Sequence, residues 1–205
     1  MFESLAPEEI ERRSFEIIDA ELGEREFDAV NAPIIKRCIH TSADFDYADA
    51  LYFSEGAVSV MREALCKGAT VVTDTRMAEA GINRRLAEQF GVEVRCFMAD
   101  ADVAHEAAKR HVTRAVASME KAFTLEGPVL FAVGNAPTAL LRLCHAIQHE
   151  GFTSAGIIAV PVGFVNVVES KEAILQAGVP CIVAQGRKGG STIAAAIMNA
   201  LLLGM

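Results

Sequence analysis

The chain has 205 residues, 52% hydrophobic and 22% charged, with 19 Lys and Arg against 27 Asp and Glu. That composition excludes a disordered chain and suffices for one buried core, and the net charge of -8 argues against nucleic-acid binding, which needs a basic face to displace counterions. Apolar runs such as 157–165 and 200–203 fall short of the ~20 residues of a bilayer span, and the acidic start M-F-E-S-L-A-P-E-E lacks the basic-then-apolar order of a secretory leader, so a cytoplasmic protein without membrane contact is expected.

Residues 1–50 read as a helical arm. Pro7, followed by Glu8 and Glu9, suits a first helical turn, where the missing N–H costs nothing and acidic groups meet the positive dipole end. Ile10, Ser14, Ile17, Ile18 and Glu21 keep helical spacing up to Gly23, a stop signal. A second helix is expected over Pro33–Ile39, delivering His40 to its end at the head of the polar segment H-T-S-A-D-F-D-Y-A-D.

Residues 51–205 alternate short apolar runs with helical patterns. Strands are predicted at Thr70–Thr73, Glu93–Phe97, Val129–Val133, Gly156–Val160 and Cys181–Ala184. Helices are predicted at Val58–Lys67, Ala101–Phe123, Thr138–His149, Val168–Ala177 and Thr192–Leu203. The alternation predicts an α/β fold, a doubly wound and mainly parallel sheet with helices on both faces. No repeat or linker divides the chain, so 1–205 is expected to be a single domain, with the arm (1–50) carrying His40 and an α/β core (51–205).

In such sheets ligands bind beyond the carboxyl ends of the strands. Strand 129–133 runs into G-N-A-P-T, where Gly134 allows a tight turn, Asn135 or Thr138 can cap and Pro137 suits the first helical turn; ordinary turn chemistry explains this loop as well as a ligand does. Strand 156–160 runs into P-V-G-F and then Glu169, Ser170 and Lys171. The last strand runs into G-R-K-G-G-S-T at a helix start, where backbone N–H groups with Arg187 and Lys188 form a candidate anion site. Neither G-x-x-x-x-G-K-[ST] nor G-x-G-x-x-G occurs, so nucleotide binding is not indicated. Arg114, after Thr113, is a further candidate whose plain alternative is a solvated helix residue.

His40, flanked by Thr41, Ser42, Asp44 and Asp46, is the candidate acid/base, although polar neighbours also satisfy structural histidines. His145 and His149 stand four residues apart but lack a completing carboxylate motif, and serve a helix C-terminus better than a metal; His105 and His111 read as solvated. Asp44, Asp46 and Asp49 lack the glycine turn and distal Glu of a calcium loop. The five cysteines, widely spaced and without C-x-x-C, read as reduced, buried apolar residues.

The segments I-E-R-R-S-F-E-I-I-D-A-E, R-C-I-H-T-S-A-D-F-D, T-D-T-R-M-A-E-A-G-I, T-R-A, G-N-A-P-T-A-L, P-V-G-F-V with E-S-K-E, and G-R-K-G-G-S with A-A-A-I-M-N-A-L occur in order across nearly the whole chain. Together they resemble the precorrin-8X methylmutase family, also called precorrin isomerases or cobalt-precorrin-8 methylmutases, of cobalamin biosynthesis. The resemblance implies a Rossmann-like three-layer α/β/α homodimer without a dissociable cofactor. Its implied reaction is migration of a methyl group from carbon 11 to carbon 12 of a tetrapyrrole-derived macrocycle, by a 1,5-sigmatropic shift giving hydrogenobyrinate or its cobalt counterpart, cobyrinate. It makes His40 the catalytic residue and Ser14, Thr41, Arg114, Asn135, Thr138, Lys171, Arg187 and Lys188 the substrate-binding set, with no metal site. Ala115 stands where the family commonly has Ser, which removes one hydroxyl contact. Two alternatives are a corrinoid carrier without turnover and a metal-dependent hydrolase using Asp44, Asp46 and His40. The apolar content is further expected to line a wide pocket for a flat macrocycle.

Overall fold

The computed structural model describes residues 6–205; residues 1–5, on which the reading of the N-terminus partly rests, lie outside the described residues. The arm holds α1 (Pro7–Leu22), α2 (Ala32–Ser42) and α3 (Tyr47–Ala50). Helix α1 begins at its proline and stops at Gly23, whose φ of 63° suits glycine. Helix α2 outruns its expected end at Ile39, so His40, Thr41 and Ser42 occupy its last turn before Ala43 closes it with φ 53°.

There follow β1 (Leu51–Phe53), α4 (Ala57–Cys66), β2 (Thr70–Thr73), α5 (Arg76–Gly81), α6 (Arg84–Gln89) and β3 (Glu93–Arg95). Strand β3 ends at Arg95 because the chain turns into a 3-10 segment at Phe97–Ala99. The long helix expected over 101–123 is two: α7 (Ala101–Arg110) and α8 (Arg114–Ala122). His111 breaks it with φ 55°, and the Thr113 hydroxyl restarts it by accepting from the Val116 amide at 3.3 Å. The rest is β4 (Val129–Val133), α9 (Pro137–His149), β5 (Gly156–Ala159), α10 (Val167–Leu175), β6 (Cys181–Ala184) and α11 (Ser191–Leu203).

The sheet runs β1-β6-β5-β4-β2-β3, with β1 antiparallel to β6 and the other pairs parallel. Side chains alternate between two cores. Leu130, Ala132, Ile158, Val160 and Ile182 join the core that includes residues of α1, α2, α4 and α11, while Val129, Phe131, Val133, Ile157 and Val183 join the one that includes α7, α8 and α9. A strand buried on both faces reads as a continuous apolar run, which is why β4, β5 and β6 were legible. The arm is part of this packing: Ile34, Ile35, Cys38 and Ile39 of α2 are buried in the first core with Ile193, Ile197 and Leu201 of α11. Four cysteines are buried, but Cys66 is exposed at the end of α4, against expectation. No helix among the described residues is long and apolar enough to cross a membrane.

The chain passes from β2 out to β3 and returns on the other side of β2 to β4, so the switch point lies between β2 and β4. Two glycines let loops close on this edge. A Cβ on Gly134 would lie 2.6 Å from the Ser191 Cα, and one on Gly189, whose φ is 154°, would lie 2.1 Å from the Val160 carbonyl oxygen. Gly189→Ala is therefore expected to cost about 1–3 kcal/mol, read from urea denaturation; an unchanged midpoint would show that the loop yields freely.

Candidate active site at the carboxyl edge of the sheet

Immediately after β2, at the switch point, Asp74 is fully buried, and its carboxylate accepts from the amides of Gly134, Asn135 and Ala136 at 2.8, 2.8 and 2.6 Å. Burial raises this carboxyl above the ordinary range, and the hydrogen bonds from the three amides oppose that rise. The G-N-A-P-T loop is thus capped by neither Asn135 nor Thr138. Its anion-binding amides are filled from within by Asp74. The Asn135 side chain is exposed, and the Thr138 hydroxyl meets the Thr113 hydroxyl at 2.9 Å, which joins the start of α9 to the start of α8 and its first residue, Arg114.

The loop after β6 is likewise tied down. Lys171, on α10, is 1% exposed, and its Nζ donates to the carbonyls of Gly186 and Lys188, each at 2.8 Å. Burial lowers its ammonium to about 8. It therefore faces the protein rather than a surface ligand. Lys188 donates to Asp44 at 2.6 Å and also to Asp46, bonds that raise its own pKa and lower that of Asp44. Of the adjacent basic pair only Arg187 stays free of carboxylates, its guanidinium 5.4 Å over the exposed ring of Phe164. The amide of Gly163 donates to the Arg187 carbonyl at 3.2 Å, joining the loops after β5 and β6.

The Lys188 bridge also brings this loop to the arm, because Asp44 and Asp46 belong to the turn that follows α2 and His40. His40 is exposed in the last turn of α2, at the negative end of the helix dipole. Its ring stacks on Phe15 at 5.1 Å between centroids and 18° between planes, and Arg37 lies 4.9 Å from the same phenyl ring. Ser14, Ile17, Ile39, His40 and Phe45 help to line a groove of about 310 Å³. The hydroxyls of Ser14 and Thr41 donate to the carbonyls of Ile10 and Arg37, each at 2.8 Å, which leaves their lone pairs available.

The expected residues therefore form two neighbourhoods. Arg114, Asn135 and Thr138 gather beyond β4, while Arg187 and Lys188 lie beyond β6 and are bridged to the segment bearing His40 and Thr41. A wide apolar pocket is not formed by the described residues; its place is taken by an open edge carrying Phe164, Val165 and Met77, which are 81, 77 and 67% exposed. Most cations are paired with acids, as in Arg25 with Asp49, Lys121 with Asp102 and Arg142 with Glu150. Among the described residues the arginines without a carboxylate within ion-pair distance are Arg62, Arg76, Arg84, Arg85, Arg114 and Arg187, of which Arg76, Arg114 and Arg187 belong to this edge. Sequence reasoning missed Asp74 and Arg76. The available signal was their position directly after strand 70–73, in the segment T-D-T-R. His145 instead meets Glu150 at 2.9 Å, and among the described residues no three His, Cys, Asp or Glu side chains converge as metal ligands.

These features define a doubly wound α/β protein whose open edge presents unpaired guanidinium groups and an exposed imidazole. The model of the family described as precorrin-8X methylmutase matches residues 9–203. The chain is 45% identical to the cobalt-precorrin-8 methylmutase of Salmonella typhimurium, over 96% of this chain and 94% of that protein. It is 42% identical to the cobalt-precorrin-8 methylmutase of Priestia megaterium, over 97% of this chain and 88% of that protein. The crystal structure of a precorrin-8X methylmutase from Thermus thermophilus superposes with a TM-score of 0.87 at 40% identity, covering 95% of this chain and 96% of that one. The chain belongs to the precorrin-8X methylmutase family, isomerases of cobalamin biosynthesis. This membership supports neither a carrier nor a hydrolase, and the hydrolase reading also loses its carboxylates, since Asp44 and Asp46 are engaged by Lys188.

Proposed function

We propose that this single-domain chain acts as a homodimer that moves a methyl group from carbon 11 to carbon 12 of precorrin-8X or its cobalt-bearing form, with His40 as proton donor and acceptor. The observation that carries the reading is the exposed imidazole of His40 on the negative end of α2, stacked on Phe15 and lining a largely apolar groove. A proton lent to a ring nitrogen draws electron density from the adjoining carbons. The bond from carbon 11 to the methyl breaks as the bond to carbon 12 forms, the double bonds shift, and the proton returns to His40. The product keeps the substrate's formula, so the step needs no cofactor, oxidant or reductant.

The macrocycle's peripheral carboxylates are met by Arg187, Arg114 and Arg76, which stand at this edge without acid partners, with Asn135 and Thr138 beside Arg114. Ser14 and Thr41 offer lone pairs to a ring N–H. Lys188 orders the turn after His40 by holding Asp44 and Asp46. A groove of about 310 Å³ is small for such a macrocycle, and the exposed Phe164, Val165 and Met77 call for a covering surface, which a second copy would supply.

The reading is tested by incubating the protein with metal-free and cobalt-bearing substrate: an absorbance change at constant mass supports isomerisation, while saturable binding with an unchanged spectrum supports a carrier. Arg187→Ala is expected to weaken cobyrinate binding about tenfold at low salt, with the gap closing as salt rises. Equal affinities across the salt series would remove Arg187 from the binding set.

A further inference from the structure

Lys171 contributes no group to the ligand edge, yet it is among the largest fully buried side chains of the molecule. Filling that space with an ammonium is costly, because an apolar side chain of equal length would avoid desolvating a charge, and no carboxylate compensates it here. What an apolar side chain could not do is donate to two backbone carbonyls at once. Those carbonyls belong to Gly186 and Lys188, the residues on either side of Arg187, and the carbonyl of Arg187 is taken by the Gly163 amide. Three successive carbonyls are thus fixed, and further along the loop the Gly190 amide donates to Val160 at 2.8 Å.

We infer that Lys171 is a positioning residue, whose ammonium holds the Gly186–Gly190 loop so that the exposed Arg187 guanidinium stands over Phe164, ready for a carboxylate of the substrate. The inference rests on the proposed function for the identity of that carboxylate, and on this structure's hydrogen bonds for the rest. Fixing the backbone beneath a long, mobile side chain lowers the entropy lost when the side chain grips its ligand. The effect of Lys171 therefore passes through Arg187 and falls on binding rather than on the chemical step.

Two measurements test this on Lys171→Met, Arg187→Ala and the double variant. The first uses trypsin, which cleaves after the exposed Arg187 and Lys188. In Lys171→Met, cleavage at these two bonds is expected to accelerate about tenfold while cleavage at other sites keeps its wild-type rate. Unchanged loop cleavage, or acceleration at every site alike, overturns the positioning role. The second is steady-state conversion of precorrin-8X, where Lys171→Met is expected to raise KM about tenfold and change kcat by less than about threefold. The double variant should then bind within about twofold of Arg187→Ala alone, because a residue acting through Arg187 has nothing left to position. Fully additive losses, or a fall in kcat at unchanged KM, overturn the inference. If the wild-type protein converts no precorrin-8X, the proposed function fails and the substrate half of the inference with it, while the cleavage pattern still decides the loop half.

Discussion

Replacing His40 with alanine is expected to lower kcat by about 10²–10⁴-fold, the usual contribution of a positioned general acid or base. The loss should not come from unfolding. His40 is exposed, and its ring adds only a stacking contact with Phe15, so stability should change by about 1 kcal/mol or less. The effect should also fall on turnover more than on affinity, because the proposed carboxylate grip lies with the arginines across the edge. Single-turnover absorbance on a variant that melts like the wild type gives the answer. Conversion within about threefold of wild type would remove His40 from the chemistry.

Asp74→Asn is expected to be the most destabilising conservative change at the edge, by about 2–4 kcal/mol. The wild-type carboxylate serves three amides with two acceptor oxygens in a site closed to water. Asparagine offers one oxygen and turns an NH2 towards the remaining amides, so donor meets donor and at least one buried N–H loses its partner. The negative charge that strengthened those bonds is gone as well. Urea denaturation measures the loss. A midpoint equal to the wild type would mean that the loop after β4 does not depend on Asp74. Because that loop also carries Asn135 and leads to Thr138, a surviving variant should bind cobyrinate more weakly.

How far the sequence revealed this depended on whether a feature was carried by a run of residues or by one side chain. Strands β2, β4 and β6 were read to their observed ends, because strands buried on both faces are continuous apolar runs closed by turn residues. Strand β1 has only three residues and pairs antiparallel at the edge, too short to show a period. The break at His111 was hidden because Ala, Lys and Arg on one side and Ala, Met and Lys on the other are all good helix material. Only the capping Thr113 marked it.

At the site, the histidine on its helix end and the basic loop after the last strand were legible as residue types in a local setting. What those residues face was not. Lys171 and Lys188 looked like free cations, and nothing local indicates that one turns inward to carbonyls while the other meets Asp44 and Asp46, 144 and 142 positions away. Asp74 was missed for the same reason, since its partners lie 60 to 62 positions on. The glycines of G-R-K-G-G-S were read as an anion loop, whereas Gly189 answers first to the Val160 carbonyl against which it packs.

The proposed reaction is movement of one methyl group within the macrocycle by this chain. It is tested most directly by following precorrin-8X labelled with carbon-13 in the migrating methyl by NMR. The wild-type protein is expected to transfer the label from carbon 11 to carbon 12 without change in mass, and His40→Ala to leave it on carbon 11. A label that stays on carbon 11 with saturating wild-type protein would contradict the proposed reaction.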